Sequence, residues 1–264
     1  MRLNSISIHP KLAAILDLFF GGIFLFLLPR VSVWWILVIL VVARILVWFV
    51  LVRLSYYPTE IKRFWHLLTL IVFHLGITIL LLFIEWNITW QLVGFIYLLF
   101  PIISFYLLPA RRQNLLSFAQ KPYRRWRFWC SVAGLYGILV GTFASISLQI
   151  FNISNLWILF LSTVLSGLLS AWWWYEYGVE RNKKFWWWML IISLFVFEIA
   201  WVLYLWPLGY FVSALVLLWL WYDIWLMGRF HLLPSGINWK KQISFFIING
   251  LLLAIFLFLI VKWR

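Results

Sequence analysis

An all-α bundle of about nine membrane-spanning helices follows from three features of this sequence. Of its 264 residues 66% are hydrophobic and only 11% are charged, against a charged share of roughly 25% in soluble domains. The apolar residues gather into nine long runs, and the Lys and Arg residues gather into alternate connections between those runs. A soluble fold of this size has no means of hiding so much apolar surface, because much of its exterior must face water. Lipid is therefore the expected solvent.

The nine runs cover about 12–29, 34–52, 65–84, 91–109, 128–150, 155–175, 185–205, 208–227 and 243–261. Each is of the length needed to cross roughly 30 Å of hydrocarbon as a helix. A transmembrane barrel would instead show alternation in segments of about ten residues, whereas these runs are apolar throughout. His9 and Pro10 precede the first run, and no small-x-small pattern closes it, so it reads as a retained span rather than a cleaved signal peptide. The longest connection is too short for a soluble domain, which leaves 1–264 as a single transmembrane domain.

Orientation follows from the basic residues. Seventeen of the 21 lie in the N-terminal segment and in the loops after spans two, four, six and eight, and three lie on the opposite side. The positive-inside rule then places the N-terminus in the cytoplasm and the C-terminus outside. In a soluble protein the net charge of +14 would suggest nucleic acid; here the loops account for it, and no nucleic-acid partner is expected. The largest basic loop, with Arg111, Arg112, Lys121, Arg124, Arg125 and Arg127 interleaved with Leu115, Leu116, Phe118 and Tyr123, reads as topogenic, and as a short interfacial helix touching anionic headgroups. Most of the 22 tryptophans, Trp34, Trp86, Trp157, Trp172 to Trp174 and Trp187 among them, fall at run ends, as in an aromatic belt.

Ionisable groups inside spans are expensive in hydrocarbon and so are functional candidates. Asp17, Arg44, Glu198 and Asp223 qualify, with His74 as a fifth. A turn near Val31 sets Arg44 level with about Leu18, one residue from Asp17, so an ion pair within the first hairpin is expected. Glu198 and Asp223 differ in depth; Asp223 is expected to meet Arg229 or the basic loops, and Glu198 has no evident partner. Ala133, Gly137, Gly141 and Ser145 in span five, and Thr163, Gly167 and Ala171 beside Ser162, Ser166 and Ser170 in span six, form small-residue ladders that favour close helix packing. Asn249 and Gly250 in span nine and Pro101 in span four mark a kink or an interhelical hydrogen bond.

The sequence holds no HExxH, no GxSxG, no phosphate loop and a single cysteine, Cys130, so no metal site, no cofactor and no familiar enzyme is expected. Glu198, Trp201, Leu205, Pro207, Tyr210 and Phe211, then Tyr222, Gly228, His231 and Leu232, and finally Trp263 give the C-terminal third a pattern that resembles uncharacterised polytopic membrane proteins of candidate-phylum bacteria, the Patescibacteria group. The resemblance covers about 70 residues; it implies a multi-span bundle in a bacterial cytoplasmic membrane and brings no activity with it.

Three functions fit these features. The first is a non-enzymatic scaffold or partner subunit bound to another membrane protein; the second is a small-molecule or proton-coupled transporter using the intramembrane charges; the third is a lipid-modifying enzyme with Glu198 or His74 as acid or base.

Overall fold

A computed structural model describes residues 8–55, 68–107, 121–151, 154–233, 236 and 239–260. The elements in order are α1 (Pro10–Leu27) with a 3₁₀ turn at Leu28–Arg30, α2 (Trp34–Ser55), α3 (Leu68–Leu82), α4 (Asn87–Tyr106), α5 (Lys121–Ser147), α6 (Asn155–Glu176), α7 (Lys183–Leu205), α8 (Tyr210–Leu232) and α9 (Trp239–Ile255), which winds on as a π turn over Phe256–Ile260. The described residues contain no strand. Backbone groups in hydrocarbon must be satisfied within the chain, and helices do this segment by segment.

Eight helices among the described residues are long and apolar enough to cross a membrane, which makes the chain a multi-pass integral membrane protein. The ninth, α3, is apolar, but its 15 described residues reach only about 22 Å. The residues before it, 56–67, lie outside those described, and Trp65 with them. The basic stretch from Lys121 to Arg127 is not a separate interfacial helix. It forms the first two turns of α5, whose 27 residues extend about 40 Å and so outrun the hydrocarbon thickness.

The chain divides into two units, Met1–Gly137 and Ile138–Arg264. In the first, α1 packs on α2 and α4, and α3 packs on both α2 and α4. His9 caps α1 by accepting a hydrogen bond from the Lys11 amide at 3.2 Å, with Pro10 at the first turn. There its missing N–H costs nothing. α3 and α5 touch backbone to backbone: a Cβ at Gly76 would strike the Gly134 carbonyl, and one at Gly137 would strike the Gly76 carbonyl. α4 runs through Pro101 to Tyr106, although proline removes the N–H that would otherwise bond the Tyr97 carbonyl. Nearby, Trp126 of α5 donates to the Phe100 carbonyl at 3.2 Å and to Ser104 Oγ at 3.0 Å.

In the second unit α7 packs against α6 and α8. Ser162, Ser166 and Ser170 form a buried stripe on α6. Trp221 of α8 donates from Nε1 to the Ser166 carbonyl at 3.2 Å and to Ser170 Oγ at 2.9 Å, and Trp174 donates to the Trp225 carbonyl at 3.1 Å. Gly167 lies against Ser193, and a Cβ at Gly228 would come within 2.6 Å of the Trp174 ring. The belt reading of the tryptophans divides accordingly. Trp34, Trp86, Trp157 and Trp187 are exposed near helix ends, whereas Trp173 and Trp174 are fully buried. The two sit at the end of an apolar run but face inward, and Gly228 leaves room for the Trp174 ring.

Gly76→Ala is expected to destabilise the protein by about 1–3 kcal/mol through overpacking. Gly22→Ala, whose Cβ would meet nothing within 4 Å, should change stability by no more than about 0.5 kcal/mol. Thermal unfolding in detergent, followed by tryptophan fluorescence, separates the two; equal effects would contradict the α3–α5 contact.

Candidate functional site

Four consecutive helices each place a polar side chain near mid-span in the first unit. Asp17 comes from α1, Arg44 and Trp48 from adjacent turns of α2, His74 and Thr78 from adjacent turns of α3, and Tyr97 from α4. Residues four apart share a helix face, so α2 and α3 each present their polar pair in one direction.

Arg44 holds Asp17 in a two-pronged ion pair, Nη1 to Oδ1 at 2.6 Å and Nη2 to Oδ2 at 2.9 Å. The side chains are 2% and 1% exposed. This is the pairing that the register of the first hairpin predicts. Two parallel charge-assisted bonds fix both charges in orientation as well as distance. Gly21, one turn after Asp17, keeps the space open, since a Cβ there would lie 3.4 Å from Arg44 Nη2 and 2.7 Å from Leu98.

Tyr97 closes the site. Its ring stands 5.6 Å from the Arg44 guanidinium carbon and stacks with Phe24 at 5.4 Å and Phe73 at 6.0 Å. His74 meets the Tyr97 ring edge-on at 5.4 Å and the Trp48 ring at 5.5 Å. Thr78 Oγ1 donates to the His74 carbonyl at 2.7 Å. Among the described residues, four buried polar atoms here have no hydrogen-bond partner, Arg44 Nε, Trp48 Nε1 and both ring nitrogens of His74, and Tyr97 Oη lies close to Thr78 and Arg44 without a well-aligned bond to either. Each such atom, left dry, costs about 1–3 kcal/mol, so their concentration in one cluster is the most unusual chemical feature of the first unit.

The structure thus brings together three of the five intramembrane candidates, Asp17, Arg44 and His74. The other two lie in the second unit. Glu198 is exposed on α7, with no hydrogen bond or ion pair among the described residues. It sits in a stripe of exposed apolar residues, Leu190, Leu194, Trp201, Val202 and Leu205. Asp223 is half-buried and its Oδ1 has no partner. It does not pair with Arg229, whose guanidinium lies 3.8 Å over the Tyr177 ring. Six residues along a helix is a rotation of roughly 240°, which puts the two on different faces.

Of the basic residues expected at headgroups, Arg125 is exposed. Arg127 is not available for that role: it is fully buried, with its guanidinium 5.1 Å over the Tyr123 ring. It falls one helical turn from Tyr123 and is carried inward with that face of α5. Arg111 and Arg112 lie outside the described residues, as does the side chain of Lys121. Trp48, Thr78 and Tyr97 are the site residues that the sequence reading lacked. The first two follow Arg44 and His74 by four positions, and that spacing is the signal that points to them.

Among the described residues no group of three or more His, Cys, Asp or Glu side chains is arranged to hold a metal ion. Comparison with protein-family models, with curated proteins and with solved structures found no match.

Arg44→Lys is expected to lower stability by about 1–3 kcal/mol, because an ammonium cannot reproduce a fork that bonds both carboxylate oxygens. Denaturant unfolding in mixed micelles measures this; wild-type stability in the lysine variant would mean that charge alone, without the fork, suffices.

Proposed function

We propose that the protein is a partner subunit of a larger membrane assembly, held in a bacterial cytoplasmic membrane with its N-terminus inside. The observation that carries this is Glu198, central in the exposed apolar stripe of α7. Lipid suits the stripe but not the carboxyl group, which finds neither water nor a donor in hydrocarbon. Seven residues separate Glu198 from the end of α7, about 10 Å along the axis, which is beyond the reach of so short a side chain. A neighbouring helix carrying a cation or a hydrogen-bond donor at that depth would satisfy it.

A second feature supports the same reading. None of the 18-residue apolar window of α9 is buried within the chain, and Asn249 and Gly250 stand near its middle, with open space beside Gly250. Polar and small residues on a transmembrane helix favour helix pairing. The charge bias of the loops and the C-terminal resemblance to candidate-phylum membrane proteins support the proposed membrane and orientation, and the cationic cytoplasmic loops would sit against anionic headgroups. A proton-coupled carrier is the second reading, favoured by the unpartnered polar atoms around His74.

Photo-crosslinking residues placed at Leu194 and Val202 test the assembly in native membranes. The expected product joins the stripe to a membrane segment of another protein bearing Lys, Arg, His, Asn or Gln, and Glu198→Leu abolishes it. Crosslinks to a second copy of this chain would replace the reading with self-assembly, and crosslinks to lipid alone would overturn it.

A further inference from the structure

The polar atoms around His74 are of unequal kinds. Arg44 Nε–H and Trp48 Nε1–H can only donate, Tyr97 Oη both donates and accepts, and an uncharged His74 ring offers one donor and one acceptor. Donors outnumber acceptors among the atoms of Arg44, Trp48 and His74 that lack partners. What completes these donors must accept hydrogen bonds.

Charge narrows the guest further. Arg44 and Asp17 already neutralise each other through two short bonds, and an anion added beside them would leave an uncompensated charge in hydrocarbon. A neutral acceptor leaves the balance intact. It must also donate, because one ring nitrogen of an uncharged His74 is an acceptor and neither nitrogen has a partner among the described residues. Water accepts and donates two bonds each, and buried waters characteristically take two to four polar partners of this sort. Position agrees: Arg44, His74 and Tyr97 each stand near the middle of their own helices.

We propose that Arg44, Trp48, His74 and Tyr97 form a mid-membrane water-binding site in which bound water bridges His74 to its neighbours. It is independent of the partner-subunit reading, which rests on the other unit. The bound water gives the imidazole a hydrogen-bonded contact with exchangeable protons inside the bilayer. That contact is the minimum a proton-handling residue requires.

The test is solid-state NMR of protein labelled with ¹⁵N in its histidine rings, reconstituted in phosphatidylethanolamine and phosphatidylglycerol bilayers. His74 is assigned by the signal missing from His74→Gln, and exposed His231 serves as the internal reference. Polarisation transfer from water to the His74 ring is expected, and it should fall several-fold in Tyr97→Phe, which keeps the ring stack and removes one hydroxyl. Transfer to His231 with none to His74 would overturn the proposal, as would transfer to His74 that Tyr97→Phe leaves unchanged. Replacing chloride by gluconate separates water from an anion: an unaltered His74 signal is expected, and a shifted one would assign the site to chloride instead.

Discussion

Placing a carboxylate and a guanidinium in hydrocarbon is tolerable only if each charge finds the other at once. The two-pronged Asp17–Arg44 bond meets that constraint. Much of the first unit follows from it. α1 and α2 must be antiparallel neighbours in one register, and α4 must offer a face that tolerates a nearby cation. Tyr97 supplies that face, with its ring held between Phe24 and Phe73. His74 and Trp48 then fill the third side with groups whose apolar bodies pack well and whose polar atoms are left without protein partners.

The second unit handles polarity by another route. Its serines return their hydroxyl protons to their own helix, as Ser166 does to the Ser162 carbonyl and Ser170 to the Ser166 carbonyl. Their small size admits large indoles, whose N–H groups reach carbonyls on the neighbouring helix. Trp221 and Trp174 thus act as donors that tie α6 to α8 without any charge. A hydrogen bond between helices in lipid contributes modestly, typically below about 2 kcal/mol, but these bonds cost no ionic desolvation. Glu198 stands outside this scheme, which is why it points toward something beyond the chain.

The span pattern was legible because hydrocarbon thickness and backbone satisfaction leave helices of one approximate length as the outcome. The observed α2, α6 and α7 begin within two residues of the expected starts. The Asp17–Arg44 pair was legible too, since a hairpin with a short turn fixes depth. What the sequence hid was rotation about each helix axis. Spans that are apolar on every side carry no periodic mark of which face is inside, so the inward turn of Trp173 and Trp174 and the exposure of Glu198 did not show, and Arg127 lies among basic residues that read alike as headgroup contacts. The separation of Asp223 from Arg229 is different, because their six-residue spacing already placed them apart. Tyr97 escaped notice because its hydroxyl is no larger a departure from apolarity than many tyrosines in a belt.

On this view the Asp17–Arg44 pair acts as one unit in organising α1 to α4. A double-mutant cycle with Asp17→Leu, Arg44→Met and the double variant, read by reversible unfolding in mixed micelles, addresses it most directly. Each single change strands a charge, so both singles should be more destabilising than the double, with a coupling energy of about 1.5–3 kcal/mol. Single effects that add to within about 0.5 kcal/mol would show that the two charges do not depend on each other, and would contradict the account.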